Sequence, residues 1–201
     1  GCAANTSDTS VLTVQAAPVV TADPVNSHVC QHTPTSFSVT ATGAGLTYQW
    51  QVNDGSSWAN VPVSTAYSGN NSATLNVQNP QPSQNGYVYR CVVKGNCLPS
   101  DTSLTATLTV DGKPQITTNP SNFTTCSGGN ASFTVVATGT GLTYQWQENN
   151  GSGYTNITNG GRYSGATSAT LNISAPPVTM DLYSYRCVVS GTCAPSTTSQ
   201  M

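Results

Sequence analysis

The chain of 201 residues carries only 6% charged side chains, five Lys plus Arg against seven Asp plus Glu, for a formal net charge of -2. That excludes neutralisation of a nucleic-acid backbone, which takes a run of cations, and no stretch approaches the roughly 18 apolar residues of a membrane span. Seven Cys among so few charges point to an oxidising compartment, so the chain reads as secreted or cell-surface.

The predicted elements come in two sets, because the chain matches itself at an offset of 96 residues. Cys30, Cys91 and Cys97 return as Cys126, Cys187 and Cys193, and Pro18, Leu46, Trp50 and Tyr67 return as Pro114, Leu142, Trp146 and Tyr163. A constant offset through strands and loops alike marks tandem copies of one unit. Residues 1–17 read as the last strand of a preceding copy or as a donor strand. Leu12 and Val14 stand where Leu108 and Val110 stand one copy later, and Cys2 falls one residue from the position matching Cys97. Residues 18–110 form the first full unit, 111–113 a linker, and 114–201 a second unit that lacks its last strand. Either an array is cut at arbitrary points, or residues 8–16 fill the vacancy in a neighbouring chain, head to tail.

Within each unit, period-two alternation predicts an all-β structure. Phe37, Val39 and Ala41 (Phe133, Val135 and Ala137 in the second copy) alternate with polar residues. The GLTYQWQ segment then places Leu46, Tyr48 and Trp50 on one face. Asn53-Asp54-Gly55 and Asn149-Asn150-Gly151 supply tight turns, followed by short returning strands with Trp58 and Val61, or Tyr154 and Ile157. Tyr67-Ser68-Gly69 and Tyr163-Ser164-Gly165 read as turns whose Tyr packs locally. The strands SATLNV and SATLNI lead into GYVYRCVV and LYSYRCVV, and a final strand, Leu104 to Val110, is present only in the first copy. About seven strands in about 96 residues is sandwich spacing. A linker this short predicts a semi-rigid rod.

A Trp in the third strand, Tyr-x-Cys in the sixth and Asn85 or Asp181 six residues before that Cys resemble an immunoglobulin-like domain. More narrowly, LTYQWQ, the YSG turn, SATLN and YRCVV followed by GxC resemble the tandem immunoglobulin-like repeats of large secreted or surface adhesin-like proteins of Bacteroidetes-type bacteria. The resemblance implies tandem β-sandwiches with Trp50, Tyr89 and Cys91, then Trp146, Tyr185 and Cys187, in the core. It also implies that the Tyr hydroxyl ties a corner through a backbone hydrogen bond. One departure concerns the usual cross-sheet bridge, because Phe37, Val39 and Ala41 leave no second-strand Cys to make it. Cys2, Cys30, Cys91, Cys97, Cys126, Cys187 and Cys193 are all disulfide candidates. The preferred pairing is Cys30 with Cys91 and Cys126 with Cys187; the alternative is Cys30 with Cys97 while Cys91 stays buried as a small hydrophobe.

Catalysis needs a nucleophile with a base, paired carboxylates or a metal, and the scattered acids offer none of these, so no enzymatic activity and no cofactor are expected. His28, Cys30 and His32 alternate as metal ligands might be spaced, but the second copy has Thr124, Cys126 and Gly128 there, so no metal site is expected. Arg90 and Arg186 read as solvated strand residues. Trp58 and Tyr154, beside small polar residues, are the candidate ligand-contact aromatics, with a sugar ring or a surface protein as partner. The leading expectation is a structural stalk or surface filament whose partners are adjacent repeats in the same or a neighbouring chain. The alternatives are a carbohydrate- or protein-binding module and a strand-complemented filament subunit.

Overall fold

The computed structural model describes residues 10–200. Cys2, and with it the first half of the expected leading strand, lies outside the described residues. The first copy contributes eleven strands: β1 (Val19–Ala22), β2 (Ser27–Cys30), β3 (Thr35–Ser38), β4 (Thr40–Thr42), β5 (Thr47–Asn53), β6 (Trp58–Asn60), β7 (Tyr67–Ser68), β8 (Thr74–Val77), β9 (Val88–Lys94), β10 (Asp101–Thr102) and β11 (Ala106–Asp111). One sheet runs β2-β11-β9-β5-β6, with β10 also on β9, and it is faced by β3-β8-β7 and a β1-β4 ribbon. The second copy contributes β12 (Gln115–Thr118), β13 (Ala131–Thr134), β14 (Val136–Thr138), β15 (Thr143–Asn149), β16 (Tyr154–Asn156), β17 (Tyr163–Ser164), β18 (Thr170–Ile173), β19 (Ser184–Ser190) and β20 (Thr197–Thr198). Its sheets are β16-β15-β19-β20, β13-β18-β17 and β12-β14.

Chain contacts divide the molecule into two compact units whose edges differ from the sequence copies. The second unit takes in residues 28–33 and 79–85 of the first copy together with everything from Thr109 onward.

The indoles are the centres of the two cores. Trp50 and Trp146 are both wholly buried, and each donates its Nε1–H to a backbone carbonyl, Ser72 O or Ser168 O, at 2.9 Å. Burial of so large a ring is favourable only because that one polar atom is satisfied. Cys91 and Cys187 stand directly across the ladder from them in β9 and β19. Phe37 stacks on Tyr89 and Phe133 on Tyr185, with ring centroids 4.8 and 5.0 Å apart. The YSG turns depend on glycine: Gly69 has φ of 77°, and a Cβ there would fall 2.1 Å from Thr74 O.

Two sequence expectations change here. The Tyr89 hydroxyl meets the Tyr67 hydroxyl at 3.1 Å, a side-chain pair where the resemblance implied a backbone tie. Leu104 does not belong to the inward series of β11. It is 71% exposed, because Ser103 turns in instead, accepting the Cys91 amide at 2.9 Å and donating to Leu104 O at 2.8 Å. Ser199 repeats this on the Cys187 amide.

Ser103→Ala strands the buried Cys91 amide and is expected to cost about 1–3 kcal/mol, whereas the exposed Leu104→Ala stays within about 0.5 kcal/mol. Denaturant titration of the two variants checks the ranking, and the reverse order would restore the reading in which Leu104 faces the core.

Candidate functional site

Two features of the structure stand out from a plain sandwich: the cysteine arrangement and an open flank on the second unit. The one disulfide among the described residues joins Cys30 to Cys193, with Cα atoms 5.7 Å apart and a separation of 163 positions in the chain. Both expected pairings of Cys30 are therefore overturned, as is that of Cys126 with Cys187. The sheet order explains the first: β11 lies between β2 and β9, so Cys30 is two strand spacings from Cys91, roughly 9–10 Å, beyond disulfide reach. Cys97 sits elsewhere, with its sulfur 3.3 Å from Gln15 O. Cys126 is exposed and Cys187 buried, and both are free thiols.

The pair is seated on the end of β11. Asp111 O accepts the Gln31 amide at 2.8 Å, and the Cys193 sulfur lies 3.6 Å from the same oxygen. His28 Nε2 is 2.7 Å from Asp111 Oδ2. His32 Nδ1 lies 2.7 Å from Asn79 Oδ1. With Cys30 oxidised, the alternating His-Cys-His run has no thiolate to offer a metal.

Among the described residues the second unit has no counterpart of β11, and its flank there is open. In the first copy β11 pairs with β9 at Tyr89 and Val88, and Ala106, Leu108 and Val110 are buried. Strand β2 exists because β11 gives it a ladder. In the second unit β20 pairs only with Val188 and Val189, and residues 123–126, the counterparts of β2, form no strand. What remains is a groove of about 270 Å³ lined by Phe123, Phe133, Ile173, Met180, Tyr183 and Tyr185 among others. The core feels the vacancy: Tyr185 is 9% exposed where Tyr89 is wholly buried, and Phe123 is half exposed. Asp181, the counterpart of Asn85, also lines the groove; Asn85 Oδ1 accepts the Val110 amide at 3.0 Å.

Trp58 and Tyr154 are half-buried, and one face of each ring is covered by a guanidinium, Arg90 at 4.0 Å and Arg186 at 3.9 Å from the ring centroid. The two arginines also donate their Nε–H to Gln51 and Gln147, at 2.9 and 2.7 Å. They are packed parts of the sheet face and not the freely solvated residues the alternation suggested. Tyr154 additionally donates to Ser184 Oγ at 3.2 Å. Tyr163 donates to Glu148 Oε2.

No family model matches the chain and no curated protein matches it. Solved structures do. A titin I-band fragment, I67–I69, superposes with a TM-score of 0.63 at 17% identity over 92% of this chain and 64% of its own. The first two immunoglobulin domains of DIP-gamma give 0.66 at 14% over 90% and 93%, and Sidekick-1 immunoglobulin domains 1–5 give 0.55 at 16% over 93% and 39%. The chain thus spans under two thirds of the titin fragment. At these identities the likeness establishes the fold: tandem immunoglobulin-like β-sandwiches.

Burial pushes the Cys91 and Cys187 thiols up to about 11 from 9.0. Between those values the folded state holds protons that the unfolded chain has released, so stability falls as pH climbs through that window. An alkylating reagent should label Cys97 and Cys126 in the native protein, and Cys91 and Cys187 only after unfolding. Mass spectrometry of tryptic peptides reads the pattern, and native labelling of Cys91 would contradict the burial.

Proposed function

We propose that the chain is part of a load-bearing array of immunoglobulin-like repeats on an extracellular surface, of the kind it resembles in adhesin-like proteins of Bacteroidetes-type bacteria. The observation that carries this reading is the disulfide between residues of successive copies. Tension entering at the N-terminal segment reaches Cys30, crosses one covalent bond to Cys193 and continues, so the segment between them, with both indole cores, is spared. The near absence of charge suits repetition, since neighbouring copies with a formal net charge of -2 over two units repel one another little.

Single-molecule stretching tests this. With the bond intact, extension is confined to the residues outside the loop. Reduction adds 163 residues at about 3.3–3.6 Å each, roughly 550 Å. Equal extension in both conditions would remove the bypass and the reading with it.

A second reading, strand complementation, is favoured by the groove on the second unit. Leu12 and Val14 are 88% and 85% exposed, while Leu108 and Val110, 96 residues on, are 0% and 4% exposed. Seating a Leu12-Val14 strand of another copy beside β19 would bury both side chains, about 3–6 kcal/mol in total, pair an open edge and bring the Val14 amide to Asp181. Repeated head to tail, such contacts propagate. The carbohydrate alternative gains nothing from Trp58 and Tyr154, each of which has a ring face taken by arginine. Sedimentation at high concentration is expected to show self-association of the parent and monomers for a Leu12→Asp, Val14→Asp variant. A parent that stays monomeric would sink strand complementation and leave the load-bearing reading to the stretching experiment.

A further inference from the structure

The outer face of the β5-β6-β9 sheet, and of β15-β16-β19 in the second unit, carries the same hydrogen-bonded row, on strands that stand at equal length in both copies. Trp50, Cys91 and Val93 are buried, so the alternate residues of β5 and β9 point outward. The register sets Thr47 across from Lys94, Gln49 across from Val92 and Gln51 across from Arg90. Arg90 is fixed from two sides. Its guanidinium carbon lies 4.0 Å from the Trp58 ring centroid, and its Nε–H donates to Gln51 Oε1 at 2.9 Å. Gln51 is fixed in turn, donating from Nε2 to Asn60 Oδ1 at 3.2 Å. Arg186, Tyr154, Gln147 and Asn156 repeat every one of these contacts. No carboxylate meets either guanidinium among the described residues, whose one ion pair is His28 with Asp111; Asp54, in the β5–β6 turn, is bonded to Ser56. Beside Arg90 the face opens into a recess of about 690 Å³, lined by Thr47, Gln49, Gln51, Asn60, Asn71 and Lys94 among others and with no acid in its wall. Such a volume is that of a small-molecule site. Arg90 and Lys94 are two of the five cations in the whole chain.

We infer that this face binds a carboxylated polysaccharide, with Arg90 and Arg186 each holding one carboxylate of the polymer. This goes beyond the load-bearing reading and does not depend on it. A guanidinium already stacked and bonded through Nε has shed much of the rotamer freedom that makes exposed ion pairs weak. It keeps its terminal N–H groups as a fork matched to a carboxylate. The Trp58 and Tyr154 rings therefore serve from beneath, holding the cation instead of stacking on the sugar. In the first unit Lys94 adds a second charge two outward positions along β9, and the amides of Gln49, Asn60 and Asn71 both donate and accept, as sugar hydroxyls require. Amides and a hydroxyl make up most of the wall, where the core of a protein-binding patch is aromatic and aliphatic. That favours a sugar over an acidic peptide. Ser190 stands in the place of Lys94 in the second unit, which makes that site the weaker. Two such sites on one chain let a polymer of repeated carboxylates engage both, which raises avidity without any new contact.

The test is calorimetric titration of the whole chain at low ionic strength, with oligogalacturonate, its methyl ester and polyglutamate as probes. The expected result is saturable binding of oligogalacturonate that weakens as salt rises, none of the methyl ester, and weaker binding of polyglutamate. Arg90→Gln should weaken binding about tenfold, and Arg90→Lys, which keeps the charge and loses the fork, nearly as much. Arg186→Gln should cost less, and the Arg90→Gln, Arg186→Gln double variant should not bind. Absence of binding by the parent, equal binding of the methyl ester, or parent-like affinity in the folded double variant overturns the inference. Polyglutamate bound as tightly as oligogalacturonate also overturns it, by making the occupant an acidic peptide. If a lowered denaturation midpoint shows that Arg90→Gln loosens the sheet, Lys94→Gln decides, because Lys94 is exposed and holds no ring. Parent affinity in that variant overturns the inference, and a several-fold loss supports it.

Discussion

The ladder between β9 and β11 is the constraint on which most of the molecule depends. A β-strand at a sheet edge is unstable alone and acquires its geometry from a partner. Where β11 is present, its Tyr89 and Val88 pairings bring Ala106, Leu108 and Val110 under cover, and β2 in turn finds a ladder on β11. The carbonyl at the end of β11 then fixes Gln31, and beside it stands the cysteine pair. In the second copy residues 123–126 are not a strand, Phe123 is half exposed and a groove opens over Phe133 and Tyr185.

Each sandwich has dispensed with the cross-sheet bridge that the immunoglobulin resemblance would suggest. Cys91 and Cys187 behave as small hydrophobes with no exposed surface, and their amides are met by Ser103 and Ser199. The clamp that remains is aromatic. Phe37 on Tyr89, Tyr67 on Tyr89 and the indole–carbonyl bond of Trp50 tie the two sheets, and Phe133, Tyr163, Tyr185 and Trp146 repeat the arrangement. Closing a loop of 163 residues by an S–S bond removes more unfolded-state entropy than closing one of 60, at most about 5 kcal/mol in the chain-entropy picture. Moving the cystine out of the core therefore sacrifices little stability.

Much of this was legible because it is local or periodic. The 96-residue offset follows from tandem repetition and the alternation of Phe37 and Val39 from period-two burial, both of which a sequence carries in full. The glycine turns at Gly69 and Gly165 were equally plain. What escaped was set by neighbours in space. Leu104 continues the apolar alternation of β11, yet Ser103 displaces it, because an orphaned Cys91 amide costs more than an exposed leucine gains. Arg90 reads as a solvated charge until Trp58 and Gln51 are seen beside it. The partner of Cys30 could not be read within one copy, because it lies in the other. One sequence signal did point there: three cysteines per unit leave an odd thiol, which suggests a partner outside the unit.

The position of the staple also determines what unfolding can do to the chain. A bridge inside a sandwich protects that sandwich's core while leaving the connection to the next copy as the weak point. A bridge from Cys30 to Cys193 does the opposite, since it encloses residues 112–114 between β11 and β12 together with both indoles. Transient opening of either core then lengthens nothing between the two sulfurs, and the opened segment refolds with its ends already held. Loop-closure entropy, which otherwise opposes re-formation of pairings far apart in sequence, has been met in advance by the covalent bond.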